Sequence, residues 1–122
     1  MPNTDALRVV MFSAEAYPFV KVGGLADVLG SLPKVLATLG ADVTVVLPAY
    51  KAIDRHQFGI EPYHRIAPFE VAMGPGFARA EIFHSVMPAS DVRMLFIGCR
   101  AYFSRDGVYD DPITREGFFD NM

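Results

Sequence analysis

In the first half of the chain, two apolar runs are separated by a segment whose apolar residues recur at helical spacing and form one stripe. Residues 7–13 and 42–47 are almost continuously apolar, as in strands covered on both faces of a parallel sheet. Pro33 lies inside the stripe between them and predicts a kink near residues 29–33, and Gly40 is placed to end the helix. The pattern therefore predicts a strand–helix–strand unit with parallel strands. The helix is predicted over residues 25–39 from apolar residues spaced three and four apart, at Leu25, Val28, Leu29, Leu32, Val35, Leu36 and Leu39.

The second half carries shorter apolar segments separated by turn residues. Strands are predicted over residues 66–73, 77–86 and 92–97, and the short connections between them favour antiparallel pairing in a meander. The stretches 52–65 and 105–114 have no clear period and are predicted as loops, and 115–122 as the start of a helix. One full-length helix cannot cover both faces of a doubly wound sheet of about five strands. We therefore expect residues 1–122 to be an incomplete Rossmann-like α/β domain, the front of a larger one.

Composition narrows the class of protein. A hydrophobic fraction of 52% with 20% charged residues indicates a packed core rather than a disordered chain. The net charge of −3, with no long basic cluster, argues against a nucleic-acid partner. No apolar run approaches the roughly 20 residues that a membrane span needs, and the first residues do not resemble a signal peptide. The single Cys99 excludes an internal disulfide and fits a reducing compartment, so a cytoplasmic protein is expected.

A cation, two glycines and an acid follow the first predicted strand, at Lys21, Gly23, Gly24 and Asp27. A glycine turn that opens a helix presents backbone N–H groups and the positive end of the helix dipole, and both attract anions. A phosphate-bearing ligand is one interpretation of this turn. The other is an ordinary tight turn with a solvated lysine and an acid that the helix dipole favours. The residues by themselves leave both open.

Two common phosphate motifs are absent. The P-loop pattern does not occur, and Gly23-Gly24 lacks the Gly-x-Gly-x-x-Gly spacing of dinucleotide sites. The second strand also ends in Leu47-Pro48 rather than in the acid that would hold a ribose, so a nicotinamide enzyme is disfavoured.

The remaining candidates carry weaker signals. Glu15 follows the first strand and is expected to hold the loop rather than to transfer a proton. Cys99 follows an apolar strand and is predicted to be a core residue. His56, His64 and His84 are far apart in sequence, so a metal or catalytic role is not expected of them. No cofactor is expected either.

The segment 13–28, which contains Lys21-Val22-Gly23-Gly24-Leu25-Ala26-Asp27, resembles the N-terminal signature of bacterial glycogen synthases and plant starch synthases. Later segments resemble the same family in the same order. These are Gly-Ser-Leu-Pro at 30–33 with Val-Val-Leu-Pro-Ala-Tyr at 45–50, Tyr-Phe-Ser-Arg-Asp-Gly-Val-Tyr at 102–109, and Phe-Phe-Asp-Asn at 118–121.

The resemblance implies a retaining glycosyltransferase with two Rossmann-like domains, the GT-B fold. Such enzymes transfer glucose from ADP-glucose to the non-reducing end of an α-1,4-glucan. By this resemblance Lys21 contacts the sugar nucleotide, Gly23 and Gly24 let the loop approach glucose and diphosphate, and Asp27 lies beside the same pocket. Tyr109 lines the sugar site, with Arg105 as its support.

The family's essential glutamate and main anion-binding cations lie in a C-terminal domain that these 122 residues do not include. The resemblance therefore implies no catalytic residue within this chain and no transfer by the chain alone. Its implied partners are ADP-glucose, the glucan and that missing domain. Two alternatives stay open: a non-catalytic module that binds nucleotide sugars, and a related transferase that uses another nucleotide sugar.

Overall fold

A computed structural model of the chain describes residues 6–99, which form one mixed sheet with one helix. The elements are β1 (Arg8–Phe12), α1 (Gly24–Thr38), β2 (Asp42–Pro48), β3 (Glu61–Pro62), β4 (Phe69–Met73), β5 (Gly76–Val86) and β6 (Arg93–Gly98). The predicted strand–helix–strand unit is confirmed, because β1 and β2 pair in parallel with Arg8 opposite Asp42.

The sheet has the strand order β1-β2-β6-β5-β3, with β4 paired to β5. β6 is parallel to β2, whereas β5 is antiparallel to β6, β4 and β3. The antiparallel meander is therefore confirmed as well. β4 begins at Phe69, after Pro68, rather than at the predicted residue 66. β3 was missed because its two residues lie in a stretch without a period, which was predicted as loop.

The core lies on one face of the sheet, where alternate residues of the parallel strands pack beneath α1. Its members are buried apolar side chains, including Val43, Val45, Leu47, Met94 and Phe96 of the strands and Leu29 of the helix. On edge strand β1, Val9 and Met11 pack against this core, and the intervening side chains point to the opposite face. There Val10 is 55% exposed and Phe12 is 75% exposed. Among residues 6–99, this face of β1 is therefore less covered than the face that packs on the core.

Helix α1 has two apolar stripes but packs only one of them on the sheet among the described residues. Ala26, Leu29 and Pro33 are buried. A second stripe is exposed along the side of the helix, at Leu25, Val28, Leu32, Val35 and Leu39. The helix runs without interruption through Pro33, and Gly40 follows its cap with a φ of +98°, a conformation that favours glycine.

Candidate functional site

The candidate site is the loop between β1 and α1, at the edge of the sheet where the parallel strands end. Tyr50 lies just after β2 at this same edge, and its hydroxyl donates a hydrogen bond of 2.8 Å to the carbonyl oxygen of Ala14. The loop that follows the first strand is therefore attached to the loop that follows the second. Ligand sites of open α/β sheets commonly lie beyond this edge.

The loop is also fastened to the first turns of the helix. The backbone N–H of Tyr17 donates to the carbonyl of Ala26 at 2.9 Å, and Ala16 and Val20 exchange two backbone hydrogen bonds of 3.1 Å each. Gly30 lies directly beneath Tyr17, where a Cβ atom would stand 2.8 Å from the Tyr17 carbonyl oxygen. The glycine is required here because loop and helix backbones approach too closely for a side chain.

Glu15 is buried at the centre of this loop, with only 2% of its surface exposed. Its Oε1 accepts hydrogen bonds from the backbone N–H groups of Gly23 (3.2 Å) and Ala26 (3.0 Å), and its Oε2 accepts one from Val22 (3.2 Å). The carboxylate thus supplies a partner for two of the N–H groups at the helix start, which have none within the helix, and for the N–H of Val22 just before it. The expectation that Glu15 holds the loop is confirmed.

Lys21 and Asp27 form an ion pair in front of the glycine turn. The ammonium of Lys21 lies 2.9 Å from each carboxylate oxygen of Asp27. The two side chains are 48% and 58% exposed, so solvent reaches the pair. The hydrogen bond to Asp27 raises the pKa of Lys21 above its ordinary value of 10.5, and the nearby negative charge of Glu15 adds to this effect. Lys21 is therefore a full cation throughout the physiological pH range.

The two glycines of the turn leave open space. Gly23 caps the helix with a φ of −150°, an extended conformation that any residue can adopt, and Gly24 does not have a positive φ. A Cβ atom on Gly24 would meet nothing within 4 Å, and one on Gly23 would meet Glu15 at 3.9 Å. Backbone conformation therefore does not require glycine at either position. Their effect is to keep side chains away from the surface beside Lys21.

The structure brings together four of the five site residues predicted from the sequence: Lys21, Gly23, Gly24 and Asp27. Tyr109 and its support Arg105 lie outside the described residues. Cys99 is free and buried at the end of β6, which confirms the prediction of a core residue.

Other features of the described chain lie apart from this site. Residues 6–99 contain no group of three metal-binding side chains, and the ring of His84 packs against Tyr63 with centroids 5.0 Å apart. Two open cavities, of about 350 and 380 Å³, are lined by residues around Lys34 and Tyr63 and do not include the glycine turn. No helix in the described ranges has the length and hydropathy of a membrane span.

Sequence reasoning missed two contacts at the site. The hydrogen bond from Tyr50 to Ala14 joins residues that are 36 positions apart, and no local sequence pattern predicts it. The direct pairing of Lys21 with Asp27 was also missed, although a lysine six residues before an acid in the first helical turn is a usable signal.

Comparison with known proteins identifies the family. The family described as starch synthase catalytic domain matches residues 8–122, which is nearly the whole chain. This chain belongs to the starch synthase catalytic domain family. The resemblance seen in the sequence is therefore confirmed.

Relatives in the family are glycogen synthases. The chain is 41% identical over 117 residues to glycogen synthase 1 of Geobacter metallireducens. This match covers 94% of the chain and 22% of that relative. It is 40% identical over 108 residues to the glycogen synthase of Thermotoga maritima, covering 87% of the chain and 22% of that protein. The chain thus spans about a fifth of the length of these relatives.

A solved structure supports the fold. The catalytic domain of starch synthase IV from Arabidopsis thaliana, bound to ADP and acarbose, matches with a TM-score of 0.76 at 25% identity. The match covers 89% of this chain and 22% of that one. The predicted Rossmann-like α/β architecture is confirmed by this match.

Proposed function

We propose that this chain is the N-terminal part of a cytoplasmic glycosyltransferase that moves glucose from ADP-glucose to the non-reducing end of an α-1,4-glucan, with retention of configuration. The observation that carries the proposal is the Lys21 ammonium, presented by a fastened loop beside an open glycine turn at the carboxyl edge of parallel strands. Family membership supplies the reaction class.

The chemistry of transfer fits this arrangement. Breaking the bond between glucose and the nucleotide leaves negative charge on the departing diphosphate, and a fixed cation stabilises that charge. In this proposal Lys21 binds the diphosphate, and Asp27 holds the ammonium in place until the donor arrives. Gly23 and Gly24 leave room for the phosphates and glucose, and Tyr109 lines the glucose site.

The chain forms one wall of the site in this proposal, and a second Rossmann-like domain forms the other. Residues 1–122 are then the incomplete first domain of a GT-B enzyme, and the catalytic groups lie outside them. The 22% share of the relatives' length supports this reading.

The test uses the complete reading frame that contains this chain. We expect the purified protein that this reading frame encodes to extend an α-1,4-glucan with radiolabelled glucose from ADP-glucose, and to use UDP-glucose and GDP-glucose much more slowly. Absence of glucan extension with every sugar nucleotide would reject the transferase and favour a non-catalytic binding module. Equal rates with all three donors would reject the preference for adenine.

A lysine substitution locates the site. Lys21→Ala removes a charged contact to the diphosphate, and we expect KM for ADP-glucose to rise about tenfold or more. Lys34→Ala, on the same helix but away from the glycine turn, is the matched control and should leave KM unchanged. An equal effect of both variants would contradict a donor contact at Lys21.

A further inference from the structure

We propose that Glu15 is a positioning residue for the donor site: its buried carboxylate holds the glycine turn from within, so that the diphosphate binds the side chain of Lys21 and not the backbone N–H groups of Val22, Gly23 and Ala26. The proposal rests on the proposed function of the site. In this proposal the N–H groups of Val22, Gly23 and Ala26 fasten the turn and do not bind the anion.

The first argument is that three of the N–H groups that an external anion could use are already taken. A helix start with free N–H groups commonly binds phosphate or sulfate. Here the N–H groups of Val22, Gly23 and Ala26 donate to Glu15 at 3.0 to 3.2 Å, and both oxygens of the carboxylate take part. The N–H of Ala26 also donates to the carbonyl oxygen of Gly23 at 3.3 Å. A phosphate could reach these N–H groups only by expelling a buried carboxylate, which would lose all three charge-assisted hydrogen bonds.

The second argument is that Glu15 fixes the backbone on one side of Lys21. On the N-terminal side, Val20 donates its N–H to the carbonyl of Ala16 at 3.1 Å. On the C-terminal side, Val22 donates its N–H to Oε2 of Glu15 at 3.2 Å. Lys21 therefore stands between two anchored residues, and one of the anchors is the Glu15 side chain.

The third argument is that Glu15 is itself rigidly held. The hydroxyl of Ser13 donates to the carbonyl oxygen of Glu15 at 2.7 Å, and the N–H of Glu15 donates back to that hydroxyl oxygen at 3.3 Å. Tyr50 secures the intervening residue, Ala14, from the neighbouring strand end. Through Glu15, these contacts connect the backbone beside Lys21 to the ends of β1 and β2.

The first experiment measures backbone hydrogen exchange in the 122-residue chain, without any ligand. Glu15→Gln keeps the size of the side chain but presents an NH₂ group in place of one accepting oxygen. We expect exchange at Val22, Gly23 and Ala26 to accelerate about tenfold or more, while β2 and β6 keep their protection. Glu70→Gln, an exposed glutamate on β4, is the control. Unchanged exchange at all three N–H groups in Glu15→Gln would overturn the proposal.

The second experiment is kinetic and uses the longer protein that we propose to contain this chain. Glu15→Gln should raise KM for ADP-glucose about tenfold with a smaller change in kcat, because it misplaces Lys21 without touching the reacting atoms. In a Lys21→Ala background the same substitution should have less than about a threefold effect, since its influence passes through that lysine. Independent, multiplying effects of the two substitutions would contradict positioning.

The third measurement needs only the wild-type form of the longer protein, so it stays decisive if Glu15→Gln fails to fold. Saturating ADP should leave exchange at Val22, Gly23 and Ala26 unchanged, because Glu15 already protects these N–H groups. New protection confined to them would show a phosphate cradle and overturn the proposal. A wild-type protein that binds no ADP would refute the proposed function instead, and the exchange experiment on Glu15→Gln would still decide whether Glu15 holds the turn.

Discussion

Gly30 offers a sensitive test of how the site loop is attached to the helix. Replacing it with alanine would place a Cβ atom 2.8 Å from the carbonyl oxygen of Tyr17 and 3.0 Å from its Cβ. Neither atom is the end of a flexible side chain. The loop cannot retreat freely, because Tyr17 donates its N–H to Ala26 and the adjoining Ala16 is bonded to Val20.

Two opposing effects set the magnitude. Overpacking of this kind costs about 1–3 kcal/mol, and loss of the hydrogen bond from Tyr17 to Ala26 would add about 1 kcal/mol. Alanine is favoured over glycine inside a helix by about 1 kcal/mol. We therefore expect Gly30→Ala to lower the free energy of unfolding by about 1–3 kcal/mol. For a chain of this size that lowers Tm by about 4–12 °C.

The assay is thermal and urea unfolding followed by far-ultraviolet circular dichroism at low micromolar concentration. The matched control is Gly24→Ala, the same change in the same helix, where the added Cβ meets nothing within 4 Å. It should leave Tm within about 2 °C of the wild-type value. If Gly30→Ala is as stable as the wild type, or more stable, the loop is not held against the helix as described.

Two other predictions concern the ion pair and the uncovered surface. Asp27→Asn should lower the pKa of Lys21, because the hydrogen bond to Asp27 is the main cause of its increase; titration of the lysine by NMR measures this, with Asp91→Asn as the control. Since the pKa of Lys21 is raised on folding, its contribution to stability is present below pH 10.5 and is lost as the pH rises through the folded pKa. Asp27→Asn should therefore lower the free energy of unfolding equally at pH 6 and at pH 9. A different loss of stability at the two pH values would contradict the pairing. The exposed stripe of α1 should make the isolated chain self-associate, and Leu32→Lys with Val35→Glu should reduce this in analytical ultracentrifugation without lowering Tm, whereas a monomeric wild-type chain at all concentrations would refute the prediction.

The sequence by itself determined the strand–helix–strand unit and the place of the glycine turn. These features depend on local periodicity and on turn chemistry: apolar runs for β1 and β2, a helical stripe for α1, and Gly40 just beyond the end of the helix. The meander was predictable for the same reason, since its connections are short. The two-residue β3 was not, because its pairing with β5 is a tertiary contact without a periodic signal.

The apolar stripe of α1 shows a limit of pattern reading. The sequence reveals that the helix is apolar over a wide arc, but it does not say which part meets the sheet. In the structure Leu29 and Pro33 are buried, whereas Leu25, Val28 and Val35 are exposed. Packing geometry makes this choice, because one stripe of the helix packs on the sheet and the other is not covered by any of the described residues.

At the candidate site, too, some features follow from the sequence and others only from the tertiary structure. From the sequence, the residue types at Lys21, Gly23, Gly24 and Asp27 suggested an anion site as one of two interpretations, and the segment that contains them carried part of the resemblance to the family. Only the tertiary structure decided how the turn is built, because hydrogen bonds between residues seven to eleven apart depend on the path of the loop. That path brings Glu15 into the N–H groups at the helix start and leaves Lys21 outside them. The sequence therefore identified the cation, and folding decided that the carboxylate of Glu15 accepts hydrogen bonds from the turn beside it.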